Sequence, residues 1–335
     1  MYLEHLHLLA CPRCHGELRC LQPEKHAADV ALLDGMLVCC VCNEKYPVIG
    51  GVPRFVPREN YASGFGLEWT KHARTQYDSY SGLDVSERRF FEQTHSPRDL
   101  HGQLMLEVGS GSGRFTEQAA NTGATVVSLD FSYAVDANYA SNGARRNVLI
   151  VQADVFSMPF RSGTFDRLFC FGMLQHTPDP RRAFQALPRV LKSGGALCAD
   201  IYKISLARAV LHTKYWVRPF TRNMNPDRLY ARVRAWVDLM WPVARVIRSL
   251  PKGYAINWRL LVADYSVLGL KGQMLKEWSY LDTFDMLAPR YDRPATLSMF
   301  RRWATDIGLI EIEAEYTPHG VVLRAKTPLQ PAADS

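Results

Sequence analysis

The sequence predicts an α/β protein in which helices cover both faces of a mostly parallel sheet, with a small β module in front and a helical insertion near the end. Three observations support this. A glycine-rich turn follows an apolar stretch at 104–108, later apolar stretches end in acidic residues, and two CxxC pairs stand near the start. Strands that alternate with helical patterns are typical of a parallel sheet layered with helices.

The composition is that of a globular chain with room for more than one domain. The chain has 335 residues, of which 47% are hydrophobic and 22% charged, and such fractions are ordinary for folded proteins. No apolar run approaches the length of roughly 18 residues that a membrane span needs, and the first residues lack the basic segment of a signal peptide. We therefore expect no transmembrane helix and a cytoplasmic location.

The net charge of +7 is concentrated in the C-terminal part. Residues 203–259 contain 12 Lys and Arg against two acidic residues, Asp227 and Asp238. Such a local field favours an anionic partner, which is a phosphorylated small molecule, a nucleic acid or a membrane surface. A solvated, arginine-rich helical surface is the alternative explanation.

Four cysteines have the spacing of a metal site. Cys11 and Cys14 form one CxxC pair, Cys39 and Cys42 form another, and 24 residues separate the pairs. Two such knuckles on facing hairpins surround one ion with four thiolates, a set that suits zinc. Because four thiolates leave no open position, the predicted metal role is structural. A redox CxxC is the alternative, but that motif needs a βαβ context.

The residues around these cysteines resemble a known family. LLACPRCHGEL, DGMLVCCVC and YPVIGGVPRF are similar to the Trm-type zinc-ribbon modules, relatives of the small activator subunit of tRNA and protein methyltransferases. We therefore assign residues 1–58 to a zinc ribbon, and residues 59–102 to a helical linker that leads into the main domain.

The segment LMLEVGSGSGRF has a pattern that indicates a ligand site. An apolar strand ends with Glu107, and a turn with Gly109, Ser110, Gly111 and Gly113 precedes a helix. Glycines permit a tight turn and let a ligand approach the backbone closely. A dinucleotide site has the pattern GxGxxG, whereas the third glycine here comes one residue early. A nicotinamide-dependent dehydrogenase is therefore a minor alternative.

The next two predicted strands also end in acids. TVVSLD ends at Asp130, where a carboxylate can accept hydrogen bonds from both ribose hydroxyls of a nucleotide. NVLIVQAD ends at Asp154, and TFDRLFCFG supplies a fourth strand. A turn at Gly194–Gly195 is expected before ALCADIY, which supplies a fifth strand. The order of these signals along the chain is more specific than any of them alone.

Residues 104–202 closely resemble the methyltransferase type 11 group of class I S-adenosylmethionine (SAM)-dependent methyltransferases. The resemblance implies a Rossmann-like, seven-stranded sheet whose residues 103–202 bind SAM as methyl donor. It also implies that Glu107 contacts the ammonium group of SAM, and that Asp154 lies near the adenine amino group with Val155 and Phe156 beside the ring. The assigned cofactor residues are Glu107, Gly109, Ser110, Gly111, Gly113, Asp130, Phe131, Asp154, Val155, Phe171 and Gly172.

His176, in the loop GMLQHTPDP, is the candidate catalytic residue. Histidine ordinarily titrates near neutrality, so it suits a general base for an oxygen acceptor. The alternative is that His176 only orders its loop through a backbone hydrogen bond. Asp179 is a candidate to hold the imidazole ring or to cap the next helix. The resembling group often has a second histidine where Gln175 stands, which leaves the base assignment open.

Residues 203–290 are predicted to be a helical insertion that covers the substrate, in which WVDLMWPVARVIRSL has helical apolar spacing. Its aromatic and arginine side chains suit stacking on a sugar, nucleotide or base, although such residues more often form the core and surface of packed helices. They are Tyr202, Tyr215, Trp216, Arg218, Arg222, Trp236, Trp241 and Trp258. DTFDMLAPRYDRP is predicted as a turn-rich loop, residues 291–328 complete the sheet, and 329–335 form a tail.

These features leave three classes of function. The first is methyl transfer from SAM to a small-molecule or glycan-type acceptor of anionic character. The second is methylation of tRNA or rRNA, with the basic insertion binding phosphates. The third is a non-catalytic activator that binds a partner protein, and the intact acidic positions argue against it.

Overall fold

Residues 1–21, 31–204 and 212–329 are described by a computed structural model. The N-terminal part is a four-stranded antiparallel sheet in the order β1-β2-β3-β4. Its core is built from Leu18, Leu37 and Val48. The two strands predicted around the cysteine knuckles are present as β1 and β2. The strands are β1 (Leu18–Cys20), β2 (Gly35–Cys39), β3 (Lys45–Ile49) and β4 (Val52–Pro53).

The central sheet has seven strands in the order β10-β11-β9-β8-β5-β6-β7. Strands β5 to β9 pair in parallel, and β11 is antiparallel to both β9 and β10. The strand order reverses between β5 and β8, and ligands bind at such a switch point in open α/β sheets. The strands are β5 (Leu104–Val108), β6 (Thr125–Asp130), β7 (Val148–Gln152), β8 (Phe165–Cys170), β9 (Leu191–Ile201), β10 (Ile310–Thr317) and β11 (Gly320–Lys326).

Both faces of the central sheet are buried. Leu106 and Val108 of β5 belong to one hydrophobic core, and Met105 belongs to another. Successive side chains of a strand point to opposite faces, so helices cover the sheet on both sides. The predicted α/β sheet is thereby confirmed.

Eleven helices are present among the described residues. Asp179, Asn225 and Thr296 each cap a helix N-terminus by accepting a backbone N–H. The helices are α1 (Ser63–Lys71), α2 (Asp78–Ser81), α3 (Val85–Thr94), α4 (Arg114–Asn121), α5 (Val135–Asn142), α6 (Pro180–Ala186), α7 (Lys214–Thr221), α8 (Pro226–Arg248), α9 (Gly253–Arg259), α10 (Gly272–Leu287) and α11 (Leu297–Asp306).

The insertion after β9 has a core of its own. Leu229, Val233 and Val237 of α8 pack with Tyr280 and Phe284 of α10. Across the described parts of the chain, none of the helices combines the length and the apolar content that crossing a membrane requires.

Two local expectations differ from the structure. The Gly194–Gly195 turn expected before the fifth strand lies inside β9, because pairing with β8 and β11 extends that strand across both glycines. The segment 282–287, expected to be a loop, is the last part of α10. It contains no helix breaker until Pro289, which follows the helix end.

The N-terminal sheet docks on the β7 edge of the central sheet. Arg54 pairs in parallel with Gln152 of β7, and the Phe55 backbone N–H donates to the Gln152 carbonyl at 2.8 Å. The Arg54 guanidinium also binds the Asp136 carboxylate. A backbone hydrogen bond of 2.8 Å joins Ala10, beside the first knuckle, to Pro159. The small module thereby covers a sheet edge that would otherwise be open to pairing.

Candidate active site

The glycine turn after β5 has a backbone that only glycine adopts readily. Gly109, Gly111 and Gly113 have φ of 85°, 54° and 91°, and L residues rarely adopt such angles. A Cβ added to Gly109 would collide with Met173, and one added to Gly111 would lie 2.9 Å from the Trp69 indole nitrogen. The glycines thus allow tight packing of the turn as well as its curvature.

Asp130, at the end of β6, holds this turn in place. Its carboxylate accepts the Gly111 N–H at 2.8 Å, and the Ser132 N–H and hydroxyl at 2.8 and 2.7 Å. Burial raises its pKa, while these donors act in the opposite direction. An acid is therefore placed at the switch point beside the turn, as predicted from its position after the second strand.

Asp154 follows β7 on the same edge of the sheet. It accepts the Phe156 N–H at 2.9 Å, which fixes the loop that carries Val155 and Phe156. Burial raises the pKa of Asp154 as well. The carboxyl ends of β5, β6 and β7 thus present the glycine turn and two acids side by side.

Glu107 is enclosed behind the glycine turn. Its carboxylate accepts hydrogen bonds from the Thr116 hydroxyl and, at 2.9 Å, from the Ser128 hydroxyl. Burial raises its pKa to about 8. Asn138 donates to Ser110, Thr116 and Ser128 and completes this polar layer under the turn.

A cavity of about 1040 Å³ extends from this sheet edge to the helical insertion. Ligand sites ordinarily have volumes of about 300–1,000 Å³, so this volume leaves room for a donor and an acceptor together. Two of the residues assigned to the cofactor, Glu107 and Gly113, do not line the cavity. The predicted residues that line the cavity are Gly109, Ser110, Gly111, Asp130, Phe131, Asp154, Val155, Phe171, Gly172 and His176.

Aromatic side chains from the linker close one side of the cavity. Tyr61 packs on Phe131 with ring centroids 4.7 Å apart, and Phe65 packs on His176 at 5.0 Å. Phe65 and Trp69 lie four residues apart on α1, so they share a helix face. The linker therefore contributes aromatic side chains to the site.

His176 lies between the sheet edge that carries the glycine turn and the helical insertion. It is buried, and its Nδ1 is 3.0 Å from the Tyr291 carbonyl oxygen. If Nδ1 donates to that carbonyl, Nε2 is unprotonated and can accept a proton. Asp179 serves as the cap of α6 through the Arg182 N–H. Gln175 is fully buried and binds the Gly172 carbonyl at 2.6 Å, so it shapes the loop.

Acidic and basic side chains that no sequence motif indicated also line the cavity, namely Glu68, Asp282 and Arg114. Glu68 is 1% exposed, its Oε2 has no hydrogen-bond partner among the described residues, and burial together with Asp285 and Asp282 raises its pKa. Burial raises the pKa of Asp282 to about 7 and lowers that of Arg114 to about 10. Glu68 and Asp282 are too far apart in sequence for a motif to connect them.

Only part of the predicted aromatic set in the insertion reaches this cavity. Tyr202 and Trp258 line it. Trp216 and Trp236 are exposed, and the Arg218 guanidinium instead binds the Met286 and Pro289 carbonyls. The other members of the predicted set lie outside the cavity, namely Tyr215, Trp216, Arg218, Arg222, Trp236 and Trp241.

The four predicted metal-ligand cysteines converge on one point. The sulfur atoms of Cys11, Cys14, Cys39 and Cys42 all lie within 4.8 Å of one another. A tetrahedron with Zn–S bonds of about 2.3 Å places sulfurs roughly 3.8 Å apart, and the Cys11–Cys42 and Cys14–Cys39 sulfurs are 3.6 and 3.4 Å apart. The donor set fits zinc. Cys20 and Cys40 lie outside it, one buried and the other exposed.

Comparison with known proteins gives two family matches and several relatives. Residues 106–199 match the methyltransferase domain of the type 11 group, and residues 3–51 match the Trm112p-like proteins. The demethylmenaquinone methyltransferase of Corynebacterium kroppenstedtii is 27% identical over 223 residues, which are 63% of this chain and 93% of that protein. The demethylmenaquinone methyltransferase of Corynebacterium urealyticum is 30% identical over 179 residues, which are 49% of this chain and 74% of that protein.

Two further similarities are to a second kind of methyltransferase and to a solved complex. The ubiquinone biosynthesis O-methyltransferase of Xanthomonas oryzae pv. oryzae is 30% identical over 42% of this chain and 62% of that protein. The complex of the Haloferax volcanii Trm112 methyltransferase activator with its methyltransferase aligns with a TM-score of 0.46 and 13% identity, covering 82% of this chain and 99% of that chain.

The strand order, the glycine turn with its acids and the sequence relatives all indicate the same family. The chain belongs to the class I SAM-dependent methyltransferases and carries an N-terminal Trm112p-like module.

Proposed function

We propose that this chain transfers the methyl group of SAM to a hydroxyl group on an aromatic small molecule that is bound in the shared cavity. The observation that supports this most is the cavity itself, which runs from the glycine turn past His176 to the helical insertion. Donor and acceptor can therefore meet in one enclosed space, and such positioning is a large part of methyl-transfer catalysis.

The cofactor end of the cavity suits SAM. In this proposal the glycine turn approaches the donor closely, Asp130 accepts hydrogen bonds from the ribose hydroxyls, and Asp154 lies at the adenine amino group with Val155 beside the ring. Phe131, Phe171 and Gly172 line the same end. SAM supplies an electrophilic methyl group on its sulfonium. Glu107, enclosed by Thr116 and Ser128, supports the turn from behind.

His176 is the proposed general base. Its Nδ1–H donates to the Tyr291 carbonyl and fixes the ring, while Nε2 takes the proton of the acceptor hydroxyl as the methyl group is transferred. Phe65 and Tyr202 hold the imidazole from two sides. The loop-ordering role and the base role expected from the sequence thus use different nitrogens of one ring.

The acceptor class is supported by the cavity wall and by the relatives. Tyr265 and Trp278, away from the glycine turn, line the cavity, and aromatic walls suit a flat ring. The relatives are named as a demethylmenaquinone methyltransferase and a ubiquinone biosynthesis O-methyltransferase, so a quinone-type ring is the acceptor they suggest, and the second name specifies transfer to oxygen. Arg114 is the candidate contact for an anionic group on that acceptor.

The helical insertion is proposed to cover the acceptor, and the cysteine cluster is proposed to bind a structural zinc ion.

The RNA and activator alternatives have less support. Part of the basic charge of the insertion is used internally, because Lys214 and Arg218 pair with Asp292 and Arg248 pairs with Asp264. Methylation of tRNA or rRNA therefore has no feature in the site that favours it over a small acceptor.

The base role is tested with His176→Gln and catechol as the acceptor probe. We expect kcat to fall by about a hundredfold or more, the range typical of a general base. SAM affinity measured by calorimetry should stay within twofold. His101→Gln is the matched control, since His101 is exposed and lies outside the cavity. Full turnover by His176→Gln would contradict the base role, and methylation of tRNA but of no catechol would contradict the acceptor class.

A further inference from the structure

Exposed apolar side chains are concentrated on the helical insertion. Among the described residues, twenty large apolar side chains are exposed, and ten of them lie between Trp216 and Val267. Phe220 is 80% exposed, Leu239 70% and Val246 68%. Isolated exposed apolar residues are ordinary, but a group of this size marks a surface that contacts another apolar phase or molecule.

One face of α8 combines these apolar residues with arginines. Spacings of three and four residues place side chains on the same side of a helix. The adjacent side, with Leu229, Val233 and Val237, is buried against the rest of the insertion. We call the outer side the basic–apolar face, and it consists of Arg228, Arg232, Trp236, Leu239, Val243 and Val246.

The charge around this face is positive. Asp238 is held by Lys276 at 2.6 Å and by the Tyr280 hydroxyl at 2.5 Å. Asp227 is the other acidic residue in 203–259. Seven basic side chains among the described residues of 203–259 are exposed, namely Arg222, Arg228, Arg232, Arg234, Arg245, Lys252 and Arg259.

We propose that the basic–apolar face of the insertion binds the surface of a membrane that contains anionic lipids. A helix with an exposed apolar stripe and flanking cations lies in the interface, with its apolar side among the acyl chains and its cations at the headgroups. Lys and Arg side chains near an anionic surface strengthen this binding. Phosphates of a nucleic acid would pair with the arginines and leave the leucine and valines in water.

The face borders the cavity. Tyr254 and Trp258 of α9 line the cavity, whereas Ile256 of the same helix is exposed. The Trp236 indole N–H donates to the Leu260 carbonyl at 3.0 Å and joins the face to the end of α9. A membrane on this face would therefore lie beside the acceptor end of the cavity. Resting on the proposed function, this geometry selects an amphiphilic acceptor that enters from the lipid phase.

The test is sedimentation of the full chain with large vesicles of phosphatidylcholine containing one quarter phosphatidylglycerol, compared with phosphatidylcholine alone. We expect binding to the anionic vesicles that weakens as salt is raised. The double variant Leu239→Glu/Val246→Glu should bind at least tenfold more weakly, and Arg228→Gln/Arg232→Gln about tenfold more weakly. Ile49→Glu is the control, because Ile49 is 52% exposed on the N-terminal sheet, away from the insertion.

Affinity for S-adenosylhomocysteine, the demethylated cofactor, separates this proposal from the proposed function. Retained affinity in every variant shows that the fold and cofactor site are intact, and loss of vesicle binding alone then supports the membrane surface. Absence of wild-type binding to the anionic vesicles would overturn it, as would unchanged binding by Leu239→Glu/Val246→Glu. A wild-type dimer that the same variant converts to a monomer, without vesicle binding, would assign the face to a second copy instead.

Discussion

Glu107 is a buried acid next to the glycine turn, and its protonation affects the stability of the fold. It ends the strand that leads into the glycine turn, and two hydroxyl groups enclose its carboxylate. Burial raises its pKa to about 8, against 4.5 for an ordinary glutamate. In the absence of SAM the folded protein therefore binds this proton up to about pH 8, whereas the unfolded chain releases it near pH 4.5.

This difference predicts a pH-dependent effect of Glu107→Gln. The favourable contribution of Glu107 is complete below pH 4.5 and is lost as pH rises to about 8, because the folded state must then bury a charge. The glutamine keeps an oxygen for both hydroxyls and removes the charge. We expect its melting temperature to exceed that of the wild type at pH 8 and to match it near pH 4.5. Calorimetric melting curves of both proteins from pH 4.5 to 8.5 measure this.

Glu59→Gln is the control for that series, since Glu59 is exposed. Parallel curves for Glu107→Gln and the wild type over the whole range would contradict the raised pKa.

At the same scale, the residues of the proposed cofactor site were easier to predict from the sequence than those at the acceptor end of the cavity. Asp130 and Asp154 follow neighbouring parallel strands, so their closeness at the carboxyl edge of the sheet follows from topology. Glu68 and Asp282 meet only because α10 returns across α1 after more than 200 residues. No local pattern encodes that approach. Glu107 was expected at the ligand, and the structure places it behind the turn.

The N-terminal module is the element whose stability depends most on chemistry outside the hydrophobic core. Its four strands are short, and small domains bury too little apolar surface to be stable alone. Four sulfurs in tetrahedral proximity supply the missing stabilisation when zinc binds. The paired CxxC motifs made this element predictable, because metal spacing is local in sequence.

Loss of one ligand should therefore remove the metal and destabilise the chain. For Cys14→Ser we expect zinc to fall from one ion per chain to near none by mass spectrometry. The melting temperature of the small N-terminal module should fall by about 12–24 °C, as expected for a loss of roughly 3 kcal/mol in a domain of fewer than about 100 residues. Cys40→Ser is a close control, because Cys40 is an exposed thiol within the second knuckle. Zinc-free wild-type protein with an unchanged melting temperature would contradict the structural role.

Elements whose form depends on distant partners were harder to predict. The two glycines of β9 suggest a turn, but β8 and β11 pair on either side and keep the chain extended. The segment at 282–287 is helical because it completes the packing of α10 against α8. The spacing of α8 predicts a helix correctly. It does not show which apolar side faces the core, because both sides carry apolar residues.

For the whole molecule, three parts meet around one sheet edge. The N-terminal module covers β7, the linker lies over the glycine turn, and the insertion closes the far end of the cavity. The large cavity results from this arrangement, since each part contributes wall residues that the seven-stranded sheet alone lacks. The architecture follows from the order of motifs, whereas the shape and charge of the cavity follow from contacts between parts distant in sequence.

The most direct test of this account is calorimetric titration of the wild type and Asp130→Ala with SAM, and of the wild type with NAD. We expect micromolar SAM binding by the wild type, no NAD binding, and SAM affinity at least tenfold weaker in Asp130→Ala, since that variant loses the proposed ribose contact and the anchor of Gly111. Asp99→Ala, at an exposed site, should bind SAM like the wild type. Equal SAM affinity in Asp130→Ala, or binding of NAD in place of SAM, would contradict the proposed cofactor site.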